Sequence, residues 1–327
     1  MSGRPVVLML PGQGFQHAGM AFELYKREPV FTAVADEFLH ALGRWGTVVR
    51  EDWLSGADGV RADRGTTAQP LLFLIGYGVG RVLADRGIRP AALVGHSVGE
   101  LAAATLAGVF DPPAAARILA GRCAALAEAP PGGMLAVAGA PEEVLDRLRG
   151  TPLGQDVVLG AHNGPRQTIL AGPEPRLSEA RQALADAGVT VRRVRALEPW
   201  HAPAMGRAAR AFGEAVAAET LRRPGIPVVS TRTGRHVTEA EALRPEFWAG
   251  QMAAPVLFWP ALRTLLDGEG RVVVDCGPAG ALATLARRHP SVAERRSTVV
   301  PLLAPPGRDA WEGWTQGLAR LEAAVRP

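Results

Sequence analysis

"LVGHSVGELAAA", residues 93–104, is the stretch from which the rest of the chain can be read. Gly95 stands two positions before Ser97 and Gly99 two after it, with an apolar run ahead and a helix-forming run behind. Strand, G-x-S-x-G, then helix is the context a nucleophile elbow requires. The glycines permit the tight turn and the close approach of helix to strand. The helix that follows aims its free N–H groups and its positive end at the same spot. An anion developing on a substrate carbonyl would be stabilised there. The same five-residue pattern also occurs in ordinary tight turns, so Ser97 reads either as a nucleophile or as a small turn residue. A nucleophilic serine needs a base. His96 is adjacent, but on so tight a turn it is expected to point away. His201, in the Pro-flanked loop "EPWHAPAM" (198–205), is the candidate base, with a structural histidine as the other reading.

Outward from the elbow, the chain alternates short apolar runs with helical patterns. "PVVLML" (5–10) reads as a buried strand ending in the Gly turn "PGQG", and "PAALVG" (90–95) as a second strand. Between them "TTAQPLLFLIGYGVGRVLADRG" reads as a helix with Pro70 in its first turn. "DPPAAARILAGRCAALAE" is a helix with prolines at its start. From about residue 132 to 197 the pattern becomes strand, helix, two strands, helix, strand, the split βαβ order of a ferredoxin-like unit. "IPVVST" and "RVVVDCG" then resume the strand-turn pattern. The expected fold is α/β: an α/β-hydrolase-like large subdomain with a parallel sheet, residues 1–131 and 198–327, and an inserted ferredoxin-like small subdomain, residues 132–197.

The bulk composition is that of a globular protein, with 47% hydrophobic and 21% charged residues among 327. The apolar run "PLLFLIGYGVG" is interrupted by glycines and reads as too short to span a membrane, and the N-terminus lacks a signal-peptide pattern. A cytoplasmic location is expected. Cys123 and Cys276 read as reduced thiols, since two cysteines make no disulfide framework. The net charge is +4 and Lys26 is the sole lysine. The arginines are scattered in small clusters (192, 193 and 195; 287 and 288; 295 and 296) without interleaved aromatics. That pattern favours an acidic protein partner over nucleic acid. No His, Asp or Glu cluster has metal-ligand spacing, so no metal is expected.

Several blocks in order resemble the malonyl-CoA:acyl-carrier-protein transacylase family, including polyketide synthase acyltransferase domains. They are "LPGQG", "ELYKREPVF", "TAQPLLF", "GHSVGELAAA", "GAHNGPRQTILAG" (160–172), "PVVSTRTG", "FWAGQMAAPVLF" and "DCGPAGAL". The resemblance covers nearly the whole chain. It implies a ping-pong mechanism in which Ser97 is acylated by a thioester and His201 takes its proton, then activates a carrier-protein phosphopantetheine thiol. It implies an oxyanion hole from the backbone N–H groups of Gln13 and Val98, and a carbonyl of Gln251 that orients His201. Gln69 and Asn163 match positions that line or brace the cleft. Arg122 matches the family arginine that forks onto the free carboxylate of malonyl-type substrates, as an always-charged guanidinium can. No bound cofactor is implied beyond the acyl-CoA substrate and the phosphopantetheine arm, and the expected partner is an acidic acyl carrier protein.

Trp200 departs from the family pattern, being larger than the residues usual before this histidine, and Phe15 stands where Ser is common. Trp200 should crowd an α-substituent and favour malonyl over methylmalonyl. The length of the chain and the start of the first strand soon after Met1 suggest a discrete, trans-acting enzyme, and a monomer is expected. The rival readings are transfer of a non-malonyl starter or aminoacyl unit, hydrolysis of acyl groups from carrier proteins, and a non-catalytic docking protein.

Overall fold

The computed structural model describes residues 4–55 and 63–326. Residues 1–3, 56–62 and 327, on which the outer ends of the expected large subdomain and the reading of Met1 fall, lie outside the described residues.

Two sheets organise the chain. The larger is parallel, in the order β7-β2-β1-β8-β9. Its strands are β1 (Val6–Leu10), β2 (Ala92–Gly95), β7 (Val228–Val229), β8 (Val272–Asp275) and β9 (Thr298–Pro301). Every residue of β1, β2 and β8 is buried, as expected for a parallel sheet covered by helices on both faces. The smaller sheet is antiparallel, in the order β4-β5-β3-β6. Its strands are β3 (Gly132–Ala138), β4 (Val158–Gly164), β5 (Gln167–Pro173) and β6 (Val191–Arg193), and this order is ferredoxin-like.

The small sheet has two different faces, because successive side chains on a strand alternate. Leu135 and Val137 join Val144, Leu170, Leu177 and Leu184 in a core of their own beneath two helices. Met134 and Ile169 point the other way, into the main core and the cleft between the sheets. The subdomains are tied by backbone hydrogen bonds from His162 N to the Val256 carbonyl (2.8 Å) and from Val256 N to the Gly160 carbonyl (2.9 Å).

Two sequence expectations are corrected. Pro70 is not in a first turn but sits inside the helix Gly65–Asp85. It removes the N–H that would bond the Thr66 carbonyl, and the Cys123 thiol reaches that carbonyl at 3.7 Å instead. The same helix, 21 residues long, is apolar and long enough to cross a membrane, contrary to the shorter run expected. In this fold 89% of its most apolar window is buried, so it serves as a core helix.

Candidate active site

The carboxyl ends of β1 and β2 are in register, Leu10 opposite Gly95, so the "PGQG" turn and the elbow emerge side by side. Ligands of open parallel sheets bind at this edge. Ser97 has φ 54°, a left-handed conformation that strains a non-glycine residue, and the helix Gly99–Leu106 begins two residues later. Gly95 is required by contact: a Cβ there would stand 2.1 Å from the Gly99 carbonyl carbon. The turn is thus closed by backbone packed on backbone.

His201 also has a positive φ, 66°. Its Nδ1 lies 3.0 Å from both the Gln251 and the Ala254 carbonyl oxygens. Carbonyls only accept, so Nδ1 carries the proton. Nε2 is then the lone-pair nitrogen, and Ser97 Oγ donates to it at 2.7 Å. Both side chains are buried. Burial first, then the nearby positive charge of Arg122, pushes the His201 pKa down to about 3, so the ring is neutral at ordinary pH. A serine hydroxyl aimed at a neutral, oriented imidazole is equipped for nucleophilic attack on a carbonyl.

The dyad opens on a cavity of about 500 Å³, lined by Gln13, Phe15, His96, Met134, Asn163, Ile169, Arg192, Arg195 and Trp200 among others. Gln13 lines the same cavity as Ser97, Val98 follows Ser97 in the elbow, and neither amide has an acceptor among the described hydrogen bonds. Asn163 Oδ1 accepts from His96 Nε2 at 2.8 Å, so His96 does turn from Ser97, toward Asn163. Yet it lines the same cavity, packed edge-on to Phe15. Burial lowers its pKa to about 4, leaving it neutral.

Arg122 is 1% exposed and its guanidinium is clamped. Trp200 and Phe212 cover it, each ring centroid 5.1 Å from Cζ. Its Nε donates to Gln69 Oε1 at 2.5 Å. Gln69 Nε2 donates to Gln13 Oε1 at 3.0 Å, and Gln13 Nε2 to the Asp63 carbonyl at 3.0 Å. Nη1 and Nη2 are buried with no partner, an unfilled two-pronged donor whose charge is felt at His201. Gln69 therefore braces the arginine and the Gln13 turn, and neither Gln69 nor Arg122 is among the residues lining the cavity. Phe212 carried no signal in the sequence, being one apolar residue in a helix that only chain folding brings to the site; Ala254 lies in the block "FWAGQMAAPVLF" three residues after Gln251, but its carbonyl was not singled out.

The expected arginine clusters are split by the fold. Arg192 and Arg195 are exposed at the cavity mouth, and no ion pair is described for either. Arg193 pairs with Glu174 and Arg288 bonds Gln167 across the subdomains at 2.6 Å. Arg287 faces a different groove, beside the helix Ala310–Val325.

A family model for the acyl transferase domain matches residues 7–323. A phenolphthiocerol/phthiocerol polyketide synthase of Mycobacterium tuberculosis (strain ATCC 25618 / H37Rv) is 36% identical over 297 residues, 90% of this chain and 19% of that protein. Polyketide synthase GfsB of Streptomyces halstedii is 33% identical over 86% of this chain and 5% of its own length. The chain thus spans at most about a fifth of these relatives. Among solved structures, the acyltransferase domain from the second module of the salinomycin polyketide synthase superposes with a TM-score of 0.88 at 33% identity, over 100% of this chain and 75% of that one. Malonyl-CoA:acyl carrier protein transacylase (FabD) from Xanthomonas oryzae pv. oryzae does so with 0.84 at 28% identity, over the full length of both.

Proposed function

The chain belongs to the acyl transferase domain family, and from that premise we propose that it moves a malonyl-type acyl group from coenzyme A, through a Ser97 ester, to the phosphopantetheine thiol of an acyl carrier protein. In the first half-reaction Ser97 Oγ attacks the thioester carbonyl as its proton passes to His201 Nε2. The oxyanion is received by the Gln13 and Val98 amides. On collapse the C–S bond breaks and coenzyme A leaves as the thiol, taking the proton from His201. In the second half, the carrier thiol gives its proton to His201 and attacks the ester, and Ser97 leaves with that proton. The two Nδ1–H···O bonds from His201 take the orienting role that a carboxylate has in a triad.

One observation carries the choice of acyl group: the buried Nη1 and Nη2 of Arg122 have no partner near the dyad. A bidentate carboxylate supplies two acceptors and the missing charge. A second reading, a non-carboxylated acyl unit, is favoured by the apolar lining of Phe15, Met134, Ile169 and Trp200. The carrier protein's acidic surface would meet Arg192 and Arg195 at the mouth.

Intact-protein mass spectrometry after brief exposure to malonyl-, methylmalonyl- and acetyl-CoA tests this. The expected outcome is a malonyl adduct, absent in Ser97→Ala and much reduced in Arg122→Ala. An adduct with acetyl-CoA alone moves the substrate to the second reading, and no adduct from any thioester overturns CoA as donor.

A further inference from the structure

Outside the cavity lining, in the first turn of the helix Gly99–Leu106, lies a carboxyl that the acyl-transfer cycle leaves unused. Glu100 is 2% exposed. Its Oε2 accepts from Gln251 Nε2 at 2.6 Å and from Thr231 Oγ1 at 3.2 Å. Gln251 Nε2 also donates to the Ser97 carbonyl at 2.7 Å, and Thr231 Oγ1 to the Gly95 carbonyl at 3.0 Å. Ser230, whose Oγ accepts from the Arg232 amide, faces the same carboxyl. Gln251 therefore has two attachments: its main-chain carbonyl holds His201 Nδ1–H, and its side chain ties the elbow to Glu100.

One hydroxyl proton in this cluster is claimed twice: Thr231 Oγ1 faces both the Gly95 carbonyl and Glu100 Oε2, and it can donate to one of them. The Ser97 carbonyl is served by the Glu100 amide at 2.9 Å as well as by Gln251 Nε2. Glu100 Oε1 and Gln251 Oε1 are buried without a partner. A proton on the Glu100 carboxyl lets it donate toward an acceptor that it otherwise only competes with. No cation touches Glu100 among the described residues. Arg232, the charged group that acts on it, makes no ion pair with it and places Nη1 on the Glu246 and Phe247 carbonyls, at 3.1 and 2.7 Å. A bare carboxylate here would be a buried charge without a counter-ion.

We propose that Glu100 is a positioning residue that works as a neutral carboxylic acid, holding the Gln251 amide against the Ser97 carbonyl and so keeping Gln251's main-chain carbonyl on His201. Burial supports this, pushing its pKa up to about 7 against its hydrogen bonds and the Arg232 charge. His201, reached through Gln251, stays neutral across that range. When Glu100 releases its proton to solvent, it becomes acceptor-only. It then competes with the Ser97 carbonyl for the Gln251 protons, and the dyad loosens. The kinetic consequence rests on the Ser97–His201 reading; the protonation does not.

The experiment pairs two readouts. Infrared difference spectra of wild type against E100Q, from pH 5 to 9, look for a protonated carboxylic C=O band. Rapid-mixing acylation by a p-nitrophenyl ester is followed over the same range for wild type, E100Q and E100A. We expect a band at pH 5–6 that fades toward pH 9 and is missing in E100Q. E100Q should acylate within about threefold of wild type without the alkaline fall, and E100A should lose about tenfold or more. Absence of the band at pH 5–6 overturns the proposal, as does E100Q falling as far as a folded E100A. Failure of wild type to be acylated would count against the Ser97 reading instead, and the infrared arm would still decide the protonation.

Discussion

The two ends of the cleft are built on different principles. At the nucleophile end, Gly95, Ser97 and Gly99 lie within five residues, and their geometry is enforced by backbone against backbone. At the proposed acyl end, behind the cavity wall that Trp200 forms, Gln69, Arg122 and Phe212 come from three separate helices and Trp200 from a loop, and they meet only through side chains. The first is a local rule of turn sterics that any strand of suitable packing could carry. The second is a packing solution in which each group depends on the others: two rings fix the guanidinium plane, Gln69 fixes one edge, and the remaining edge has no partner among the described residues. With Arg122 as the proposed carboxylate holder, changes at the acyl end should alter what is transferred more than whether transfer occurs.

The largest break should come from the dyad. Ser97→Ala should abolish the acyl-enzyme, and His201→Ala should slow acylation by about 10³-fold or more; intact-mass kinetics measures both. Gly95→Ala should unfold or destabilise the chain by about 3 kcal/mol or more, because the new Cβ meets main-chain atoms that no rotamer can move. Denaturant titration checks it, and unchanged stability would contradict the view of the elbow as a backbone device. Arg122→Ala should cut malonyl loading by about 10²-fold while leaving acetyl loading within a few-fold. An equal loss for both donors would contradict that division between the two ends. Trp200→Phe should raise methylmalonyl relative to malonyl loading by about tenfold at most, the scale of a freed methyl-sized space.

Two smaller effects are read from pH. Arg122 lowers the His201 pKa, so removing it lets the imidazole protonate more easily, and the acid limb of the acylation profile should move to higher pH in Arg122→Ala. No movement would mean that the two ends are not coupled electrostatically. Folded Glu100 keeps its proton to about pH 7, whereas an unfolded glutamate releases it near 4.5. Between those values the unfolded state binds fewer protons, so this group makes stability fall as pH rises. The Tm of E100Q should gain on wild type across that window, with the parallel contribution of buried Asp275 unchanged in both.

Four strands of the parallel sheet were legible as apolar runs, and the small subdomain because its strand-helix order follows a period-two and period-3.6 rhythm; the edge strand β9, only partly buried, was not singled out. The placement of Pro70 was not legible, because proline ordinarily marks a helix start. Here a thiol from another helix partners the carbonyl it leaves free. Ser97 and His201 could be singled out from motif and loop context, while their 2.7 Å contact joins positions 104 apart. Arg122 was marked only by resemblance, since an arginine in a helix is by itself unremarkable.

By itself, the sequence determined what is local: the elbow with its obligatory glycines, the alternation of strands and helices, and the helix N-terminus behind the nucleophile. Tertiary structure alone decided the tautomer of His201, set by two distant carbonyls. It decided the aromatic clamp on Arg122 and the buried, unpartnered Oε1 of Glu100. The physical reason is the same in each case. Backbone conformation follows from neighbours in the chain, but hydrogen-bond partners and burial are set by whatever the fold brings within a few ångströms.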